Sequence, residues 1–381
     1  MDHRSVNSAM YGTSIAVAFA ISGLLLGGPA YGAADITGQV LGAGAPIANS
    51  TVTLWAASAG DPKQLAQTQT GADGRFSLEA PGTAGTDSSL YLSAKGGQPT
   101  LNKTGENNPA IALIAVVGAT PPSTVTINEM TTIASVWTHN QFIDGAAIKG
   151  HPLGLKIAAG NVPSFVDLQT GGWGTTIQDP LNSGQTPTMA NFATLADLLA
   201  ACLTRVTADA CDTLFAAATP PKGSAPTDTL TAAESVVRYP WYQPERLFAL
   251  VDQLYPVPEG KTMRPVPFMP YLSFAPSAWV FPLKFDGGGY RAGGKAMFDS
   301  AGNLWSATTL QWAGRRTTCS GRATPPSSPP TASRCRRSLP GLPAAACRAA
   351  RSARRSTPGT TPGLPATGAS RLQCSTRPAS R

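Results

Sequence analysis

Cys202 and Cys211 are the two cysteines of the first 305 residues, and their thiols are the side chains best spaced to react with one another. In an oxidising compartment they would form a disulfide tying the end of a long helix to the next segment. Closing so short a loop stabilises by about 2–3 kcal/mol. Two free buried thiols or a metal site are the alternatives, but no His or Cys stands beside them at ligand spacing. The histidines after His3 are His139 and His151. His139 falls near a helix end with Asp144 close in sequence, yet a general base needs a partner at hydrogen-bond distance. A surface or structurally satisfied histidine is therefore expected. The run Gly287–Gly294, GGGYRAGG, has the composition of a phosphate loop but is followed by strand-like sequence instead of a helix, so its glycines are turn residues. Asp286 and Asp299 are read as turn caps. No nucleophile elbow, zinc-binding helix or paired-carboxylate signature occurs. No catalytic, cofactor-binding or metal-ligating residue is assigned, and no cofactor is expected.

The elements that carry these residues change character along the chain. Residues 1–33 read as a signal peptide: His3 and Arg4, an apolar run from Ser14 to Leu26, then small residues around Ala30–Ala33. The run is short and glycine-rich for a membrane span, so no span is expected after cleavage; an uncleaved anchor is the alternative. Residues 35–118 alternate apolar and polar residues over Ile36–Val40, Thr51–Ala56, Leu65–Thr70, Arg75–Glu79, Leu90–Ala94 and Ile111–Val117, which predicts a small all-β sandwich. Residues 119–255 turn helical. Asn128 is placed to cap a helix through Met130, Ile133, Val136 and Trp137. Phe192, Leu195, Leu198, Leu199 and Cys202 recur at helical spacing within Met189–Val206. Two more helices are expected over Thr229–Val237 and Pro244–Tyr255, with Pro240 and Pro256 behind them.

Two stretches resemble known families. ITGQV…APIANSTVTLW followed by TQTGADGRFSL is similar to the carboxypeptidase-regulatory-like, or transthyretin-like, domain. The resemblance places Asp73-Gly74 in a tight turn, points Phe76 into the core, and implies a binding or spacer module. Further on, Val280–Phe285 and Gly294–Phe298 read as strands. Asp299–Asn303 reads as a hairpin turn, and Leu304-Trp305 restarts a strand. The pattern D-x-x-x-N-x-W, at Asp299, Asn303 and Trp305, resembles the blades of NHL and virginiamycin-B-lyase-like β-propellers. That resemblance implies an incomplete blade over residues 256–305. The alternative it carries is the inactive remnant of a streptogramin-lyase-like or hydrolase enzyme, whose metal and catalytic His would sit on later blades.

After Trp305 the composition breaks. Residues 306–381 hold thirteen Arg and no Lys, Asp or Glu, together with Cys319, Cys335, Cys347 and Cys374. The net charge of +8 is owed to these arginines; without them 16 basic residues face 21 acidic ones. The basic balance therefore does not argue for a nucleic-acid partner. A single G restored after the Trp305 codon converts TGG-TCG-GCG-ACA-ACT into codons for W-V-G-D-N. The same frame across Ser356–Thr367 can encode V-D-A-R-D-N-A-W-V-T-S-Y-G, a second copy of the blade motif. Residues 306–381 are accordingly expected to be an out-of-frame, disordered tail, with disorder beginning near Phe285. Together these readings give a multidomain chain: signal peptide, transthyretin-like sandwich, helical linker, truncated propeller start and tail. Such a chain is expected to be secreted or periplasmic, with an unknown extracellular ligand or protein as partner.

Overall fold

The computed structural model describes residues 35–79, 88–102, 104–285, 293–308 and 320–323; the signal-like segment, the Asp286–Arg291 part of the glycine loop and most of the tail lie outside the described residues. Nine strands come first: β1 (Asp35–Gly42), β2 (Ala45–Ala48), β3 (Thr51–Ala57), β4 (Lys63–Gln69), β5 (Arg75–Glu79), β6 (Ser89–Lys95), β7 (Gln98–Pro99), β8 (Ala112–Gly118) and β9 (Thr124–Ile127). Helix α1 (Glu129–His139), the short hairpin β10 (Ile143–Asp144) and β11 (Ala147–Ile148), and α2 (Pro152–Asn161) follow. Then come α3 (Thr175–Gln178), α4 (Pro180–Ser183), α5 (Thr188–Thr204), α6 (Ala210–Ala217), α7 (Thr229–Arg238) and α8 (Pro244–Leu254). Three strands close the series: β12 (Gly293–Phe298), β13 (Leu304–Thr308) and β14 (Ser320–Ala323).

The first nine strands form two open sheets. One has the order β5-β1-β2-β7, with β9 laid parallel to β1; the other has the antiparallel order β4-β3-β6-β8. Alternation along β1 sends Ile36 and Val40 inward and leaves Asp35 and Thr37 in solvent. Gly38 of the G-x-V stretch has a specific reason to be glycine. A Cβ there would lie 2.0 Å from the Val125 carbonyl oxygen and 2.6 Å from the Phe76 ring, so both β9 and Phe76 could not close on β1. Phe76 is buried in the core, and Gly74 takes a positive φ of 72° in the Asp73-Gly74 turn.

The outer edge of β8 has no strand beside it among the described residues. Its outward N–H groups are taken by helix hydroxyls instead. Ala112 donates to Thr229 Oγ1 at 3.0 Å, Ile114 to Thr132 Oγ1 at 3.1 Å, and Val116 to Ser135 Oγ at 2.9 Å. Every second residue of an antiparallel edge faces away from its neighbour, so two α1 residues one turn apart serve two of these donors. The edge is thereby closed to pairing with another chain. Asn128 fixes the start of α1 through a capping box with Thr131.

The helices share one hydrophobic core with both sheets, running from Ile36 and Val52 through Ile133 and Leu198 to Val251 and Trp279. The helical region expected as a linker is therefore part of the same core. Apolar faces of α1, α5 and α7 have no other large surface against which to be buried.

Residues 256–285 correct a second expectation. Val280–Phe285 is extended but is not a strand. Residues 268–284 run along α5 as a strap held by polar side chains rather than by a ladder. Asp197 Oδ1 accepts from the Phe268 N–H at 2.8 Å and Thr194 Oγ1 from that of Leu272 at 2.9 Å. Asn191 Nδ2 donates to the Val280 carbonyl at 3.3 Å and Thr188 Oγ1 to that of Pro282 at 2.6 Å. Asn182 bonds both backbone groups of Lys284. Positions 188, 191, 194 and 197 are three residues apart, so their side chains step obliquely around α5, each about 60° from the last. Phe281 anchors the strap among Trp137 and Phe192, with ring centroids 4.7 and 5.1 Å away.

The last three strands form an antiparallel sheet in the order β12-β13-β14. Gly293–Phe298, Leu304–Thr308 and Ser320–Ala323 are thus strands, with the turn at residues 299–303 between the first two. Backbone pairing asks only for N–H and C=O groups, so an arginine-bearing segment can add to a strand edge as readily as any other.

Candidate functional site

The cysteines lie where α5 ends. Cys202 and Cys211 are joined in a disulfide, with Cα atoms 4.4 Å apart. The carbonyls of Cys202 and Leu203 accept from Asn108 Nδ2 at 2.9 and 3.1 Å, and Arg205 caps the helix in the left-handed region at φ 48°. Thr204, Arg205 and Val206, inside the disulfide loop, form one wall of a cavity of about 330 Å³. Ala43 in the β1–β2 turn, Leu101, Tyr255 at the end of α8, and Pro265–Pro267 leading into the strap supply the remainder.

Beneath this cavity sit two carboxyl groups that the sequence reading did not single out. Glu129, in the first turn of α1, is fully buried; its Oε1 accepts from the Ala43 N–H at 2.7 Å. Asp197 on α5 is equally buried; its Oδ1 holds Phe268, and its backbone carbonyl accepts from the Tyr255 hydroxyl at 3.1 Å. The second oxygen of each carboxyl has no hydrogen-bond partner among the described residues, and neither forms an ion pair there. Burial pushes Glu129 up to about 7, against the opposing hydrogen bond from Ala43. Burial pushes Asp197 up to about 8, the Phe268 N–H lowering it and the Glu129 charge raising it further. Burial also raises Tyr255, with the two carboxylates adding to the effect. Both acids can hold a proton near neutrality, the state in which a carboxyl donates as well as accepts. A signal for Asp197 was present: it is the one charged residue in α5, set among apolar neighbours. Glu129 had none, since an acid in a first helical turn is ordinary surface chemistry.

The histidines are placed apart from this cavity. His139 is buried, and its Nδ1–H donates to the Ser135 carbonyl at 3.1 Å, which leaves Nε2 as an acceptor without a partner among the described residues. Burial drives it down to about 4, so it is neutral at pH 7. His151 caps α2, its Nδ1 accepting from Leu153 at 3.3 Å. Glu234, also raised to about 7 by burial, has a cation, Arg238 at 3.4 Å, and holds Gly145 of the β10–β11 hairpin at 3.0 Å.

The motif at Asp299, Asn303 and Trp305 closes on itself. Asp299 Oδ1 accepts from the N–H groups of Ala301 and Asn303, both at 2.9 Å; Oδ2 accepts from Asn303 Nδ2 and Trp305 Nε1, also at 2.9 Å. Desolvation would raise this carboxyl, but these donors outweigh it and hold it at about 2. The D-x-x-x-N-x-W spacing therefore has a physical content: one carboxylate organises the β12–β13 turn and orients the indole. Gly302 lies against α2, where an added Cβ would stand 3.5 Å from Ile157. Among the described residues no group of three or more His, Cys, Asp or Glu is gathered as a metal site, and no helix is long and apolar enough to cross a membrane.

No family model matches the chain, and no curated protein matches it. Among solved structures it is similar to a 9R-lipoxygenase from Cyanothece, at 21% identity over 24% of this chain, with a TM-score of 0.16. The match spans 15% of the lipoxygenase.

Proposed function

We propose that the protein is a secreted or cell-envelope binding protein, the front part of an NHL-type β-propeller protein. A transthyretin-like sandwich with its helices carries the first blade. The observation that supports this reading best is the Asp299 turn, set between two strands of an antiparallel sheet as a blade requires. The Cys202–Cys211 disulfide supports an oxidising destination. The cavity beside α5 is of a size suited to a small ligand. The basic tail is read as a frame change after Trp305, and the streptogramin-lyase-like alternative rests on what later blades would carry.

Two experiments test this. Expression in a bacterial host with the native N-terminus is expected to give protein outside the cytoplasm, starting near residue 34 and with no free thiol at Cys202 or Cys211. Cytoplasmic retention of an uncut chain would overturn the compartment. Sequencing the encoding DNA is expected to show further blade motifs in the next frame after Trp305. Inward-facing His and Glu there would favour the enzyme; their absence would favour binding.

A further inference from the structure

The cavity beside α5 has two walls that the chain reaches from opposite ends: the β1–β2 turn at Ala43, and Pro265–Pro267, which lead directly into the strap at Phe268. Each is fastened from below by one carboxyl oxygen, Ala43 by Glu129 and Phe268 by Asp197, at 2.7 and 2.8 Å. We propose that Glu129 and Asp197 act together as a proton-dependent clasp, closing these walls while protonated and loosening the start of the strap when ionised.

The geometry supports it independently of any titration value. A buried carboxylate ordinarily collects several donors or a cation. Each of these accepts one backbone N–H from a distant segment, Glu129 interacting with its own N–H besides, and leaves its second oxygen unpartnered among the described residues. That arrangement leaves the anion badly solvated, and a neutral acid with one unpartnered O–H costs less there. The surrounding charges offer no rescue. Arg264, four residues ahead of the strap, is committed to Asp252 and, at 2.8 Å, to the Tyr255 carbonyl. Arg205 on the far wall pairs with Glu106 at 3.5 Å. On α7, Arg238 is paired with Glu234 and Asp144. His139, ten residues along α1, is neutral, and Tyr255 donates its hydroxyl to a carbonyl. Ionisation of one carboxyl also disfavours that of the other. The relief open to the anion is water, which enters most directly by lifting Phe268 and the residues before it. The lower strap bond, Thr194 to Leu272, then becomes the first fixed point.

The test is residue-resolved amide hydrogen exchange on the full chain. After correction for intrinsic rates, protection at Phe268 and Ala43 is expected to fall about tenfold between about pH 6 and pH 9, while that of Ile114 and Val116 changes far less. Asp197→Asn keeps an acceptor for Phe268 and cannot ionise, so its protection at Phe268 is expected to stay level with pH; Glu129→Gln should do the same at Ala43. Flat protection in the unsubstituted protein, or an unchanged pH response in both variants, would overturn the clasp. Should a variant fail to fold, the infrared band of a protonated buried acid in the unsubstituted protein decides. Its presence at about pH 6 and loss at about pH 9 is expected, and its absence at the lower pH contradicts the proposal.

Discussion

The outer edge of β8 and the β12–β14 sheet present the same problem and are treated differently. Both are extended backbone with no further strand beside them among the described residues. At β8 three hydroxyls from α1 and α7 stand where a neighbouring strand would be, and Leu113–Val116 are almost wholly buried. At β12 about half of the Met297 and Phe298 surface is exposed. The hairpin is organised by one carboxylate and its turn rests on α2. The contrast teaches that a sheet edge can be finished by helix side chains, and that the front core is finished in this way whereas β12 leaves Met297 and Phe298 half exposed.

Substitutions should separate the two regions. Trp279→Ala, at the strap's best-buried side chain, is expected to cost about 3–5 kcal/mol in urea unfolding. Replacing both cysteines by serine is expected to cost about 2–3 kcal/mol, read the same way. Thr132→Val leaves the Ile114 N–H without its acceptor and is expected to cost about 1–3 kcal/mol, whereas β12 meets no helix hydroxyl among the described residues and has no equivalent to lose. If Thr132→Val proved neutral, the sealing of β8 would carry no energy and the comparison would fail.

A pH series sharpens the same contrast. Glu129, Asp197 and Glu234 have folded-state values raised above the ordinary carboxylate range, so their contribution is full at low pH and is lost as pH rises through about 7 to 8. His139 works in the opposite direction, its contribution being lost as pH falls from about 6.5 toward 4. Between about pH 6.5 and pH 8 these carboxyls titrate in the folded chain, and the unfolding midpoint is expected to fall. Asp299, held at about 2, should leave the β12–β13 hairpin indifferent over this range. The smallest effect is expected from Met297→Ala, within about 0.5 kcal/mol on global unfolding, since its side chain is half exposed.

What could be read from the chain follows which forces are local. Strand alternation at Ile36–Val40 and the Asn128 cap are written in neighbouring residues, and both stand in the structure where the pattern places them. The Asp299 turn was legible for the same reason, its donors lying within six residues. The strap was not, because Thr188, Asn191, Thr194 and Asp197 hold backbone 71 to 94 residues away, and polar residues at three-residue spacing look like a solvated face. Strand propensity at Val280–Phe285 reported an extended chain correctly, but could not say that side chains of α5 would replace a partner strand. Glu129 under the cavity was hidden by the same long reach, since it answers to Ala43 across 86 positions.

The most direct measurement is amide hydrogen exchange on the intact protein at one pH, comparing β8 with β12 and β13. Protection of Ile114 and Val116 close to the global unfolding limit, with residues 296–305 exchanging through local opening, is the expected result. Equal protection of both regions would contradict the division between a finished core and an open final sheet.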